Sequence, residues 1–353
     1  AECSSVEELD VSKFDTSKVI YMENMFSGCT SIKKLNIANF ITRKVTNMSG
    51  MFNGASKVEE LSVSKFDTSK VTNLSGIFSG CIKVKELDVS NFDTSEVTNM
   101  NKMFFNCWLV NQLDVSNFDT SKVTNMNKMF SNCKSIKHLD ISKFKTAEVT
   151  NMIGMFSGCI KVETLDVSKF DTSQVTDMNN MFAECMTLEN LNVSKFKTNE
   201  VTNMNSMFRR CSSLKALDLK KFDTSQVSNM SKMFKECSAL ETLSINGIDT
   251  SQVTDMSYMF EKCSALEKLD LSRFETGEVT NISYMFSECA KIKEVKNNFN
   301  TSSLEKITKL FYGCGTVQSG TDVKKLIDDI SDLIGEENQI NPKQASKYNC
   351  FIA

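Results

Sequence analysis

The chain has 353 residues, 41% of them hydrophobic and 24% charged, with a formal net charge of -3. Lys, Arg, Asp and Glu are mixed along its length, which leaves no basic field for nucleic acid and no acidic tail. No apolar run of about 18 residues occurs, so no segment reads as a membrane-spanning helix.

The opening residues, AECSSVEELDV, already lie inside a repeat and carry no cap. Either residues are missing there, with a removed signal peptide among the options, or that end pairs with another molecule. From it runs a column of anchor leucines every 26 residues: Leu9, Leu35, Leu61, Leu87, Leu113, Leu139, Leu165, Leu191, Leu217, Leu243 and Leu269, with Val295 last. A fixed period overrides the two or three domains that length alone suggests. It predicts one array of about twelve 26-residue units over residues 1–320.

One unit, Leu113 to His138, serves for all. Leu113 and Val115 alternate with Asp114 and Ser116, the period of two of a strand with one buried face. Phe118 is followed by Asp119, Thr120 and Ser121, which favour a turn. Thr124 and Asn125 are N-cap candidates, and Met126, Met129, Phe130 and Cys133 fall at three-and-four spacing, which predicts a short helix. The predicted fold class is therefore an α/β solenoid of strand, turn and short helix. One such unit cannot bury its own apolar face, so each rests on its neighbours.

The columns inside this array read as structure. Phe and Met recur at the Phe118, Met126, Met129 and Phe130 positions and are assigned to the core, with no cofactor. The threonines of the Thr120 column are read as a hydrogen-bond ladder that satisfies turn backbone. Most of the 13 cysteines share one repeat position that also accepts Ala55, which marks them as small buried hydrophobes rather than disulfide partners. A zinc site needs converging N and S ligands, and the single His138 cannot recur along a ladder; no metal is expected.

Outward positions are the candidates for function. The residue before each anchor leucine varies most, and Glu86, Gln112, His138, Thr164 and Asn190 form a strand face suited either to reading a ligand or to plain solvation. In FFNCWLV, Phe104 and Cys107 belong to core columns, whereas Phe105 and Trp108 stand where other units carry mostly polar or small residues. Together with Ile82, Ile160 and Met186 they predict an apolar patch. The paired carboxylates Asp114 and Asp119 recur in other units, so no pair is singled out for acid–base work. Nothing near His138 resembles a nucleophile elbow and no phosphate loop is visible, so no enzyme is expected.

After Cys314 the period stops. Val323, Leu326, Ile327, Ile330, Leu333 and Ile334 share one helical face, which predicts a capping helix over 321–335 that covers the last rung. The tail, 336–353, ends in CFIA, and Cys350 fits a C-a-a-X prenylation signal, which in a eukaryote would tether the chain to the cytosolic leaflet.

The stretch IKHLDISKF followed by VTNMIGMFSGC, Ile136 to Cys159, resembles the BspA-like leucine-rich repeat, above all its 26-residue variety of mycoplasma-type surface lipoproteins and other microbial surface proteins. Met replaces the small residue before Phe, and the turn is longer than the family pattern. The resemblance implies a leucine-rich-repeat fold and a role in surface adhesion or in binding a protein or host-surface ligand. Two other readings stay open: a structural solenoid that associates with itself, and a prenylated intracellular scaffold.

Overall fold

The structure is a computed structural model that describes residues 4–314. The chain divides into two compact units, Ala1–Val175 with Met181–Leu191 and Thr176–Asn180 with Asn192–Ala353. Each is a stack of rungs, and every contact given below lies within one unit.

In unit one, Leu113 and Val115 point inward and Asp114 outward, as the alternation predicts. Strands β1 (Glu8–Leu9) and β2 (Lys34–Leu35) pair in parallel, with Leu9 opposite Leu35. Higher in the same unit the pairing shrinks to single bridges, Glu86 to Gln112 and His138 to Thr164. Unit two has longer pieces, β3 (Ala216–Asp218) with β4 (Thr242–Ser244) and β5 (Lys268–Leu271) with β6 (Glu294–Asn297). The strand side of each unit is thus a row of short parallel pairings. The reason is local. Asp114 Oδ1 accepts bonds from the Ser116 amide at 3.0 Å and its hydroxyl at 2.7 Å, and this Asx turn bends the chain just past the strand.

The predicted short helices are not there. No helix occurs among the described residues, and Met126 to Cys133 is a run of linked turns. Met129 N–H donates to Met126 O, Ser131 to Lys128 O, and Cys133 to Phe130 O. The alternate amides turn outward to the following rung: Met126 to Asn151 O, Lys128 to Ile153 O, Phe130 to Met155 O and Asn132 to Ser157 O, all at 2.7–3.0 Å. A helix would close every amide four residues back within its own segment; here half of them stitch neighbouring rungs. Two residues per rung adopt left-handed backbone, Lys128 at φ 52° and Asn132 at φ 60°, and such a conformation cannot continue a right-handed helix.

A second line of parallel bridges marks where this segment begins. In unit one it passes through Asn47, Asn73, Asn99, Asn125 and Asn151, and in unit two through Asp177, Asn203, Asn229, Asp255 and Asn281. Each side chain also nucleates its own turn, as Asn125 Oδ1 does by accepting from Asn127 N–H at 3.0 Å.

The core follows the sequence columns. Phe52, Phe78, Phe104, Phe130 and Phe156 are fully buried and stack ring on ring, with centroids 5.6–5.9 Å apart. Phe208, Phe234, Phe260 and Phe286 do the same in unit two. The Cys133 thiol is buried and reaches back to Phe104 O at 3.2 Å, and Cys107 to Phe78 O likewise. Burial pushes the Cys81 and Cys159 thiols up to about 12, so they stay protonated and inert at neutral pH. The predicted capping helix over 321–335, the tail and Cys350 lie outside the described residues.

Candidate binding surfaces

Hydroxyls and carboxylates that look reactive in the sequence are bonded into the rungs. Thr120 Oγ1 donates to Lys145 O and accepts from Lys145 N–H, both at 2.8 Å, and Thr42 does the same to Asp67. Asp119 Oδ1 accepts from Ser121 N–H at 3.0 Å. The Ser121 hydroxyl and amide hold Asp119 below the usual carboxylate range, as Ser116 does for Asp114. A carboxylate committed to its own turn and held ionised is a poor general acid. Among the described residues, no group of three His, Cys, Asp or Glu is placed to hold a metal ion.

The strand-face candidates Glu86, Gln112, His138, Thr164 and Asn190 are all exposed. Parallel bridging sets Glu86 beside Gln112 and His138 beside Thr164, so their side chains stand in register on one face. The adjoining column carries an exposed ion pair, Lys137 to Glu163 at 3.5 Å. Such a pair contributes little to stability, about 0–1 kcal/mol, and leaves the face polar.

The apolar patch is only partly as expected. Trp108 is 39% and Met186 38% exposed, whereas Ile82, Phe105 and Ile160 are half-buried. Trp108, Lys134, Ile160 and Met186 occupy the same position of successive rungs, directly after the buried cysteine. Lys134 Nζ lies 4.2 Å from the centre of the Trp108 ring, which divides the apolar column with a cation. Leu109, 38% exposed, extends the apolar surface beside Trp108. Four further exposed apolar residues, Phe14, Ile20, Tyr21 and Ile41, gather in the first two rungs, while Phe40 and Phe66 at the Phe14 position are buried.

Sequence reasoning missed one surface altogether. On the linked-turn side of unit two, Tyr258 and Tyr284 stack with centroids 4.8 Å apart and planes 4° from parallel. Lys232 and Lys235 approach the Tyr258 ring at 5.6 and 4.7 Å, and Lys309 approaches Tyr284 at 5.9 Å and Tyr312 at 4.9 Å. The signal was the spacing: Lys232, Tyr258 and Tyr284 are 26 apart, at the left-handed position that Gly50 and Gly76 fill in unit one. Beneath them the Lys235 ammonium lies 2.6 Å from a Glu261 carboxylate oxygen, with both side chains largely buried.

Comparison with known proteins adds the following. A family model described as Mycoplasma protein of unknown function, DUF285, matches at residues 1–107, 58–164, 100–217, 130–242 and 211–324. No curated protein matches the chain. Among solved structures the chain is similar to a leucine-rich repeat protein from Bacteroides ovatus ATCC 8483, at 19% identity over 87% of this chain and 84% of that one, with a TM-score of 0.44. It is also similar to a leucine rich cell surface protein from Faecalibacterium prausnitzii A2-165, at 17% identity over 80% and 77%, with a TM-score of 0.46. A leucine-rich repeat protein from Eubacterium ventriosum ATCC 27560 aligns at 15% identity over 78% and 84%, with a TM-score of 0.37.

Proposed function

The chain belongs to the family of Mycoplasma protein of unknown function, DUF285, and on that premise we propose that it is a non-enzymatic surface or membrane-associated repeat protein of the BspA-like leucine-rich-repeat kind, which binds a protein or host-surface ligand. One observation carries this reading: the repeated Asp, Ser, Thr and Asn side chains are bonded into turns and inter-rung ladders, while the residues that differ from rung to rung face solvent. A repeat stack built so holds its interior constant and varies its outer columns, which suits recognition better than catalysis. Trp108, with the exposed Leu109 beside it, supplies the kind of aromatic and aliphatic group that anchors protein interfaces.

Beads coated with the full chain test this reading against cultured cells. Coated beads are expected to adhere above an albumin control, and Trp108→Asp is expected to lower adhesion by about tenfold, the effect of losing one interface anchor. Adhesion no better than albumin, or turnover of substrate traced to an exposed residue, would overturn it. Labelling of intact cells by a membrane-impermeant amine reagent checks the surface assignment, since exposed lysines such as Lys137 react only if the chain is displayed outside.

A further inference from the structure

In the row Lys232, Tyr258, Tyr284 and Lys309 of unit two, the two tyrosines are the aromatic residues of a column otherwise filled by Gly, Asn, Ser and Lys. In unit one the same left-handed position is filled by Asn24, Gly50, Gly76, Lys102, Lys128 and Gly154, of which the glycines adopt it at no steric cost. Tyrosine there carries a side chain that disfavours φ near 59°, yet two occur in succession. Their inner faces are used in stacking on each other, and their outer faces are approached by ammonium groups. What remains for a ligand is the rim: two phenol hydroxyls in the middle and a cation at each end. Among the described residues neither Lys232 nor Lys309 has a carboxylate within ion-pair distance, in contrast to Lys235 and Lys262, which are paired with Glu261 and Glu288. Burial, the neighbouring Tyr284 and the carboxylates of Glu261 and Asp255 push the Tyr258 hydroxyl up from its ordinary range, so it remains a proton donor at neutral pH.

The spacing selects among anionic ligands. Successive rungs lie about 4.8 Å apart, so the row spans about 14 Å in equal steps. An extended peptide repeats like-facing side chains at about 6.8 Å and cannot meet four donors spaced this way. A pyranose unit is close to one rung in length and carries both hydroxyls and, in acidic glycans, a carboxylate or sulfate. We propose that this row binds an acidic polysaccharide laid along the stack, its anionic groups against Lys232 and Lys309 and its hydroxyls against Tyr258 and Tyr284. The chain's net charge of -3 disfavours indiscriminate attraction of polyanions, so such binding has to be local. The inference rests on the ligand-binding reading above and names a ligand class for it.

The full chain is tested by surface plasmon resonance on immobilised heparin and on hyaluronan, with poly-glutamate as competitor. Binding to at least one of the two polysaccharides is expected, weakened about tenfold or more by Lys232→Ser with Lys309→Ser, because two charge-assisted bonds are lost. Tyr284→Phe, which keeps the ring and removes the hydroxyl, is expected to weaken it less and to leave the melting temperature unchanged. Lys102→Ser with Lys128→Ser, at the same position in unit one, is expected to have no effect. Absence of binding to both polysaccharides, equal binding by the Lys232 and Lys309 double variant, or equal competition by poly-glutamate at matched charge overturns the proposal. Bead adhesion that persists in that double variant but falls with Trp108→Asp leaves the broader reading standing when the polysaccharide site fails.

Discussion

At Thr120 one buried hydroxyl closes both the amide and the carbonyl of Lys145 in the next rung. Thr120→Val keeps the shape and deletes both bonds, leaving two backbone groups without that partner; it is expected to cost about 2 kcal/mol, read from urea denaturation. The Asx carboxylates act in the same way at the surface. Asp10, Asp15, Asp114, Asp119 and Asp140 are held below the ordinary carboxylate range by the hydroxyl and amide of the serine two residues on. A carboxyl depressed in the folded state contributes stability that is fully present above its unfolded value, about 3.9. That contribution is lost as pH falls through the folded values. Melting temperature is therefore expected to be flat with respect to these groups from pH 5 to 7 and to fall below about 4, with the fall reduced when Asp114 and Asp119 are replaced by Asn.

At the scale of the element, the segment from Met126 to Cys133 shows why an apolar spacing of three and four does not by itself specify a helix. A run of turns that closes every third residue brings the same side chains inward. Stacking decides between them, because outward amides gain partners only when another rung lies alongside. A signal was present in the sequence: Gly50, Gly54, Gly76 and Gly80 fall four apart inside the supposed helices, where glycine is unfavourable. Gly80 sits at φ 75°, and a Cβ there would meet the Gly54 Cα at 3.2 Å. Gly80→Ala is accordingly expected to lower stability by about 1–2 kcal/mol, whereas Lys128→Gly at φ 52° is expected to cost little or to stabilise, both checked by thermal unfolding.

At the scale of the whole molecule, stability comes from rung upon rung, which makes the repeat the natural unit of deletion. Removing residues 97–122, one full period, rejoins Glu96 to Val123 and restores every column. The shortened chain is expected to keep its circular dichroism spectrum and cooperative unfolding. Removing 97–109 takes out Phe104 and leaves Phe130 half a period out of register with Phe78, which is expected to abolish folding, as the ring stack of that column is then broken.

The period of 26, the buried Phe, Met and Cys columns, the threonine ladder and the turn-forming role of the Asp119 column were all legible in the amino-acid sequence, since repetition at fixed offsets reports which side chains face a common interior. The surface was less legible. Trp108 is exposed as its position predicts, but Lys134 over its ring, the half-burial of Phe105, and the Tyr258 and Tyr284 pair depend on side chains a full rung apart meeting in space. Backbone conformation in the turn segment was likewise decided by tertiary structure, because its amides choose their partners across rungs, and no local pattern of residues can state what lies on the neighbouring one.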